Sequence, residues 1–232
     1  MIRLPLRIGL ALLVFGCSIP LTAQSTSCTD IADESNHHLL YQNAAVRIFQ
    51  LDLGGSKATE EFCVAHPYLR IGATEGKTAD VSSGISYEHN WAAGQAFLIY
   101  QPKRKIIRNQ TALEFREYDI ETLQPVTYDP RTESTCGNPA VELQCDPDLV
   151  SNHFVTDVHG PFTVRKVALG TGDQLVISEA SHFIVALSAI EVTYGKNEQL
   201  SLEPGNAARL PDSEIVLKNT GNRKAYFISI DF

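Results

Sequence analysis

An internal repeat constrains the fold of this chain more than any other feature of its sequence. The segment LGGSKATEEFCVAHPYLRIGA at 53–73 aligns with LGTGDQLVISEASHFIVALSA at 169–189, so that His66 matches His182 at a constant offset of 116 residues. A repeat of this length indicates that one structural unit occurs twice, with equivalent residues in equivalent places.

The similarity continues downstream of these segments. AGQAFLIYQPKRKIIRNQTALEFREYDI at 93–120 resembles PGNAARLPDSEIVLKNTGNRKAYFISIDF at 204–232, with Asn109 opposite Asn219. Each copy is about 80 residues long and ends in a predicted strand, a length that suits a small β domain.

Short apolar runs dominate both copies, among them AVRIFQLDL at 45–53, QAFLIYQ at 95–101 and QLVIS at 174–178. They are rich in β-branched and aromatic residues and are bounded by Gly, Pro, Asn or Asp, which is typical of a sandwich or barrel. The sequence therefore predicts an all-β protein. In ALEFREYDI the apolar residues break strict alternation, and we expect a β-bulge near Glu117.

These observations divide the chain into five segments. We expect a signal peptide at 1–23, an N-terminal arm at 24–40, a first barrel at 41–122, a linker at 123–152 and a second barrel at 153–232. The linker is rich in Pro and Asp and has no sustained apolar period.

The first residues have the pattern of an export signal. Arg3 and Arg7 precede a short apolar run that is too brief to span a bilayer, and Ala23 provides a small residue for cleavage. The prediction is an exported protein, periplasmic or extracellular, without a transmembrane span. VFGC at 14–17 is an imperfect lipoprotein box, so lipid anchoring at Cys17 is the alternative.

Four cysteines follow the predicted signal, which favours disulfides in an oxidising compartment. Four cysteines allow three pairings. The short separation of Cys136 and Cys145 favours a bond between them, and a Cys28–Cys63 bond then ties the N-terminal arm to the first barrel.

The charge of the chain argues against one class of partner. The formal net charge is −8, and the short run Lys103-Arg104-Lys105 is its main basic cluster. A phosphate backbone needs a broad basic surface, so we expect no nucleic-acid partner. The sequence has no Gly-x-Ser-x-Gly elbow, phosphate-binding loop or zincin helix motif, which disfavours those enzyme classes.

The order of strands and turns resembles a double-domain cupin, a protein of two small jelly-roll barrels. The resemblance covers nearly all of 41–232 and depends on turn residues at matching places in the two copies: Gly54, Gly55, Gly76, Gly94, Pro102 and Asn109, then Gly170, Gly172, Gly195, Gly205, Pro211 and Asn219. It implies two tandem cupin-type barrels.

Metal-binding cupins carry an H-x-H pair and a later histidine, and these places are altered here. The two histidine places hold Phe62 and Val64 in the first copy, and the later place falls at Arg104 or Lys105. The second copy has Ser178 and Ala180, then Glu214 or Ile215. Phe and Val cannot ligate a metal and a cation repels one, so the resemblance implies no metal and no other cofactor.

Four residues are candidates for contact with a ligand: His66, Tyr68, Tyr100 and His182. Alternation from Phe62 predicts that His66 points into its barrel, and the repeat predicts the same for His182. Cupin-type epimerases combine a histidine with a carboxylate and a tyrosine, which makes His66, His182 and Tyr68 the catalytic candidates, although no Asp or Glu pairs with His66 by its spacing. A buried histidine with a purely structural role is the other interpretation of both imidazoles.

The sequence thus favours an exported, metal-free, non-catalytic cupin-like protein that binds a small molecule or a protein partner. The alternative is a cupin enzyme, either an epimerase or isomerase using a barrel histidine, or an oxygenase with non-standard metal ligands. A polar pocket favours the enzyme, whereas interiors filled by Phe62, Val64, Phe97 and Ile184 favour the scaffold. A homodimer through strand edges is compatible with either.

Overall fold

A computed structural model describes residues 28–99, 103–123, 153–156, 163–177, 182–211 and 213–232. It contains strands, turns and one short 3-10 turn at Ile31–Asp33. Within those ranges no helix has the length and apolarity needed to cross a membrane. The predicted signal peptide, Cys17, Tyr100 and the Cys136–Cys145 pair lie outside the described residues.

The first unit, residues 28–99 and 103–123, has ten strands: β1 Thr29–Asp30, β2 His37–Gln42, β3 Val46–Leu53, β4 Phe62–Val64, β5 Tyr68–Gly72, β6 Gly76–Ser82, β7 Ile85–Trp91, β8 Ala96–Ile99, β9 Lys103–Asn109 and β10 Phe115–Thr122. They form two five-stranded sheets, in the orders β1-β4-β9-β6-β7 and β2-β3-β10-β5-β8. All neighbours pair antiparallel except β1 and β4.

The second unit, the described residues from 153 onwards, has nine strands: β11 His153–Thr156, β12 Thr163–Leu169, β13 Gln174–Ile177, β14 His182–Ala186, β15 Ile190–Tyr194, β16 Glu198–Leu202, β17 Ala207–Leu210, β18 Ile215–Asn219 and β19 Ala225–Asp231. Their sheet orders are β11-β12-β19-β14-β17 and β13-β18-β15-β16.

The two units have the same arrangement of strands. The order β3-β10-β5-β8 in the first corresponds to β12-β19-β14-β17 in the second, and β4-β9-β6-β7 corresponds to β13-β18-β15-β16. The all-β prediction is confirmed, and the crossing of strands between two sheets is that of a jelly roll.

The N-terminal segment is attached to the first unit by strand pairing and by a covalent bond. β2 pairs with β3 along its length, so residues 37–40 of the predicted arm belong to a sheet. Cys28 and Cys63 form a disulfide, as predicted, beside the short pairing of β1 with β4. This bond fixes the segment over the strand that precedes His66.

A buried apolar layer joins the two units. The outer face of the sheet containing β10 packs against the sheet containing β19. The layer consists mainly of Val46, Ile48, Leu69, Ile71, Tyr118 and Ile120 from the first unit and Phe183, Val185, Ile228 and Ile230 from the second. Tyr118 Oη also donates a hydrogen bond to the carbonyl of Gly205 at 2.9 Å.

The β-bulge expected near Glu117 is absent from the β3–β10 pairing. β10 pairs with β3 in continuous register from Phe115 to Thr122, and the register shift lies instead between Leu39 and Tyr41 of β2. Alternation breaks in the sequence because both faces of β10 are buried, one against the second unit and one toward the interior of the first.

Candidate functional site

The interior of the first unit holds charged side chains instead of a uniformly apolar core. β5 and β10 are neighbours, and alternate residues on each strand turn to the same face. Leu69 and Tyr118 therefore face the second unit. The inward positions hold ionisable groups that join others from β6 and β9, giving the set Arg70, Asp80, Lys105, Glu117 and Asp119.

Arg70 is the centre of this charged cluster. Its Nε and Nη2 donate to the two carboxylate oxygens of Glu117 at 2.6 and 2.8 Å, and its Nη1 donates to Asp80 Oδ2 at 2.6 Å. The guanidinium also lies 5.1 Å from the ring centroid of Trp91. Only 1% of Arg70 is exposed, so these ion pairs lie in a medium of low polarity.

Lys105 brings a second buried cation into the interior. Its Nζ lies 3.4 Å from Asp80 Oδ2, and the rings of Phe62 and Tyr68 lie at 5.5 and 5.0 Å. Burial and the charge of Arg70 act to lower the pKa of Lys105, but Tyr68 and the nearby carboxylates outweigh them and the pKa is raised. The side chain is therefore an ammonium at neutral pH.

The two carboxyl groups on either side of Arg70 respond differently to burial. Burial acts to raise the pKa of Asp80, but the charges of Arg70 and Lys105 outweigh it and hold this pKa at about 2. For Glu117 burial is dominant: it raises the pKa to about 7 against the charge of Arg70, and the charge of Asp119 adds to the rise. Asp80 is thus ionised at neutral pH, and Glu117 titrates there.

The cluster continues to the N-terminal segment through His37. His37 Nε2 lies 3.3 Å from Asp119 Oδ2, and its Nδ1 lies 2.5 Å from Glu34 Oε2. Burial acts to lower the pKa of His37, but the two carboxylates outweigh it and the pKa is raised. The N-terminal segment that the disulfide holds therefore supplies a group that offsets the negative charge of Asp119 in the interior.

A cavity of about 490 Å³ adjoins the cluster and reaches the surface beside the exposed residues of the β6–β7 hairpin. Its lining includes Tyr68, Asp80, Tyr87, His89, Ile99 and Lys105. Tyr68 Oη and Asp80 Oδ1 are buried and make no hydrogen bond of ordinary geometry with any described residue. Buried polar atoms usually have partners, so these two atoms mark a place for a ligand or water.

The structure places the predicted site residues of the first unit in different environments. Tyr68 is buried and lines the cavity. His66 is exposed in the loop between β4 and β5 and is absent from the cavity lining. The expectation that His66 points inward is wrong, because β4 ends at Val64 and alternation does not extend beyond it.

Hydrogen bonding corrects the match between His66 and His182. Gly94 and Gly205 occupy matching places in the two copies. The amide of Gly94 donates to the carbonyl of Gly72, and the amide of Gly205 donates to the carbonyl of Ala186. Gly72 and Ala186 are therefore equivalent. Tyr68 lies four residues before Gly72, as His182 does before Ala186. Tyr68 is therefore the counterpart of His182, because the second copy has two residues fewer between Leu169 and His182 than the first has between Leu53 and Tyr68.

His182 faces the interior of the second unit, as predicted, and both of its ring nitrogens are engaged. Nδ1 lies 2.8 Å from Asp231 Oδ1, and Nε2 lies 3.3 Å from the carbonyl oxygen of Ser213. Asp231 also pairs with Arg165. This geometry fits the structural interpretation of His182, since neither nitrogen is left for a ligand.

The interior of the first unit does not fit a divalent metal ion. Phe62 pairs directly with Lys105 across β4 and β9, so the aromatic ring and the ammonium fill the places where the resemblance would put metal ligands. A buried ammonium beside Arg70 repels a cation. Among the residues that the structure describes, no group of three or more His, Cys, Asp and Glu side chains is arranged to hold a metal.

Sequence reasoning missed most of this cluster, although one signal was present. In β10, acidic residues recur at every second place, Glu117, Asp119 and Glu121, within a strand whose other residues are largely apolar. Such a pattern indicates either a solvated face or a buried charged one. Arg70 and Lys105 each lie on a strand of their own, so only the fold brings them to these acids.

No family model matches the chain, and no curated protein matches its sequence. Solved structures do match. AerE from Microcystis aeruginosa is 10% identical over 85% of this chain and 97% of that chain, with a TM-score of 0.56. A cupin 2 conserved barrel domain protein from Leptotrichia buccalis is 10% identical over 84% and 87%, with a TM-score of 0.56.

A third structure, the salicylate 1,2-dioxygenase from Pseudaminobacter salicylatoxidans, is 12% identical over 82% of this chain and 72% of that chain, with a TM-score of 0.57. At such identities the likeness concerns the path of the backbone, and the chemistry of those proteins is not carried over with it.

Proposed function

This chain has the cupin fold, and we propose that it binds a small organic molecule in the cavity of its first unit, without a metal ion and without catalysis. The cavity volume, about 490 Å³, lies in the range of small-molecule sites, roughly 300–1,000 Å³. The charged cluster forms a rigid polar wall on one side of this cavity.

The observation that carries the proposal is the difference between the two interiors. Because Gly72 and Ala186 are equivalent, Arg70 corresponds to Ile184, two residues earlier in each strand. Glu117 pairs with Gly72, and Phe227 pairs with Ala186. Glu117 is therefore the counterpart of Phe227. The same architecture therefore folds with apolar residues at these places.

The same comparison holds at Lys105. Asn109 and Asn219 are equivalent because each side-chain amide donates to the carbonyl of a corresponding residue, Leu53 or Leu169. Lys105 then corresponds to Ile215, which is buried in the apolar core of the second unit. Buried ion pairs add little net stability compared with apolar residues, so their presence beside a cavity supports a role in binding.

An enzyme is the second candidate function. Tyr68 and Lys105 lie together at the cavity and carry protons that an isomerase or epimerase needs. His182, one of the two histidines that the sequence proposed for such chemistry, has both nitrogens engaged in the other unit. Binding is the simpler proposal because Glu117, the buried acid whose pKa lies nearest to neutral pH, is held by two nitrogens of Arg70, Nε and Nη2.

Export is part of the proposal. The Cys28–Cys63 disulfide supports an oxidising compartment, and the pattern of the first residues supports a signal peptide. A periplasmic or extracellular binding protein, alone or as a homodimer, is consistent with both.

Binding is tested by thermal shift of the purified protein against a metabolite library, with Lys105→Met and Lys77→Met as paired variants. Lys77 lies on β6, is partly exposed and does not line the cavity, so it serves as the control. We expect compounds that stabilise the wild-type protein and Lys77→Met but not Lys105→Met. A library with no such compound argues against the cavity as a binding site.

Elemental analysis tests the metal-free part of the proposal. The protein is analysed as isolated and after incubation with Fe²⁺, Mn²⁺ and Zn²⁺ followed by desalting. We expect less than one tenth of a metal ion per chain, by the argument that buried cations exclude another cation. Stoichiometric metal that is lost in His182→Ala would favour the oxygenase alternative.

A further inference from the structure

We propose that the ligand of this cavity is a small hydroxylated carboxylate, with its carboxylate on Lys105 and Tyr68 and a hydroxyl donating to Asp80. This inference rests on the proposed function and adds the chemical class of the ligand. Three features of the cavity carry it: an ammonium with spare donors, a phenol without a hydrogen bond of ordinary geometry, and an unpaired carboxylate oxygen.

Lys105 is the first feature. An ammonium has three donors. In the described residues Lys105 Nζ has one hydrogen bond of ordinary geometry, at 3.4 Å, to Asp80 Oδ2, an oxygen that Arg70 already contacts at 2.6 Å, and it also interacts with the Tyr68 hydroxyl. The rings of Phe62 and Tyr68 lie beside the group at 5.5 and 5.0 Å, and the side chain lines the cavity. A buried ammonium with spare donors is best satisfied by an anionic oxygen, which forms short charge-assisted hydrogen bonds.

Tyr68 is the second feature. Only 1% of the residue is exposed, it lines the cavity, and its ring lies against the Lys105 ammonium. Burial raises the pKa of Tyr68 against the opposing charges of Lys105 and Arg70, so the hydroxyl keeps its proton. The phenol therefore serves as a second donor beside the ammonium, and the two together suit one carboxylate.

Asp80 is the third feature. Its Oδ2 is held by Arg70 and Lys105, whereas its Oδ1 is buried and unpaired in the described part of the chain. An ionised carboxylate accepts hydrogen bonds and donates none. A ligand that contacts this oxygen directly must therefore present a donor to it. A hydroxyl meets that need without adding a third positive charge beside Arg70 and Lys105.

The remaining walls limit the rest of the ligand. Ile85, Tyr87 and Ile99 line the cavity and give it an apolar side. Arg104 also lines it, but pairs with Glu61 at 2.5 Å on the surface. Ser82, Ser83 and His89 complete the lining. The site thus has a polar floor and one apolar side, which suits a hydroxy acid with a short apolar substituent.

Isothermal titration calorimetry with matched probes tests this inference. The hydroxy acids are lactate, malate, 3-phenyllactate and gluconate, and each is compared with its analogue lacking the hydroxyl next to the carboxylate and with its methyl ester or amide. We expect at least one hydroxy acid to bind ten-fold or more tightly than both of its analogues. Lys105→Met should remove the preference for acid over ester, and Lys77→Met should keep it.

Tyr68→Phe is the second variant, because it keeps the ring that packs against Lys105 and removes the hydroxyl alone. A several-fold loss of affinity for the acid is expected, with an unchanged melting temperature. Esters or amides that bind as tightly as the acids, with loss in Lys105→Met, overturn the ligand class and leave the proposed function standing. Failure of every hydroxy acid overturns the ligand class as well, and the wider library then decides whether the cavity binds anything.

Discussion

At the scale of single residues, Arg70 decides whether the interior of the first unit is stable. It neutralises Glu117 and Asp80 together, and it lies 4.0 Å from Asp119. A buried carboxylate without a partner is far more costly than the small net gain of a satisfied ion pair. The counterpart, Ile184, has no such role, so the two units differ in how much they depend on this one position.

Replacing Arg70 with methionine is expected to lower the free energy of unfolding by about 3–5 kcal/mol, because it leaves buried carboxylates unpaired. Urea unfolding followed by circular dichroism measures the change. Arg104→Met is the matched control, since Arg104 pairs with Glu61 on the surface, and its stability should be unchanged. Equal stability of the two variants would contradict the buried pairing.

Glu117 is expected to make stability depend on pH. Its pKa rises from 4.5 to about 7 on folding, so the folded protein holds this proton more tightly than the unfolded chain. The stability that Glu117 contributes is therefore lost as pH rises from about 4.5 to about 7. The sign is opposite for Asp80, whose lowered pKa affects stability only below about pH 4.

Glu117→Gln isolates this effect. Across pH 4.5 to 7.5 the free energy of unfolding of the wild-type protein should fall relative to the variant by about 3 kcal/mol, at about 1.36 kcal/mol per pKa unit. Urea titrations at half-unit steps of pH give the two curves. Parallel curves would show that Glu117 keeps an ordinary pKa.

At the scale of strands, β10 shows why the fold could be predicted from the sequence and the charged cluster could not. Short alternating runs, turn glycines and the repeat are local signals, and they predicted the all-β class and the two copies. The faces of β10 depend on what packs against each of them, and no local signal tells that Glu117 faces inward while Tyr118 meets the second unit. The same applies to His66, which lies beyond the end of β4.

The disulfide connects the N-terminal strands to β4, and its removal is expected to loosen them. Cys28 and Cys63 are separated by 35 residues, a loop for which a disulfide contributes about 4 kcal/mol. Cys28→Ser with Cys63→Ser should therefore melt at a lower temperature than the oxidised wild-type protein. Its melting temperature should equal that of the reduced wild-type protein. A double variant that melts at the same temperature as the oxidised wild-type protein would contradict this expectation.

Non-reducing peptide mapping checks the pairing itself. We expect one linked peptide pair containing Cys28 and Cys63 and, by the sequence prediction, a second bond between Cys136 and Cys145. Free thiols at Cys136 and Cys145 would contradict that second bond and weaken the case for export.

At the scale of the whole molecule, the shared apolar layer makes the two units interdependent. Each unit presents one sheet face to the other, and Phe183 meets Tyr118 edge to face with ring centroids 5.6 Å apart. An apolar sheet face of this kind is unfavourable when it is exposed to water. We expect the units to unfold in one transition.

Phe183→Ala tests the shared layer. Removing a buried aromatic ring costs about 3–5 kcal/mol, and because the ring lies between the units, both should be destabilised together. Calorimetry should show one transition in the wild-type protein and one at lower temperature in the variant. Leu113→Ala, at a site that is 75% exposed, is the control. Two separate transitions in the wild-type protein would mean that the layer does not couple the units.

The ammonium of Lys105 has a consequence for where such a protein can work. A bound ion must be acquired after synthesis, in competition with every other protein that needs it, and it is lost when the surroundings become poor in that element. A charge supplied by a side chain is present as soon as the chain folds. If ligand binding depends on Lys105, it will proceed equally well under iron, manganese or zinc starvation.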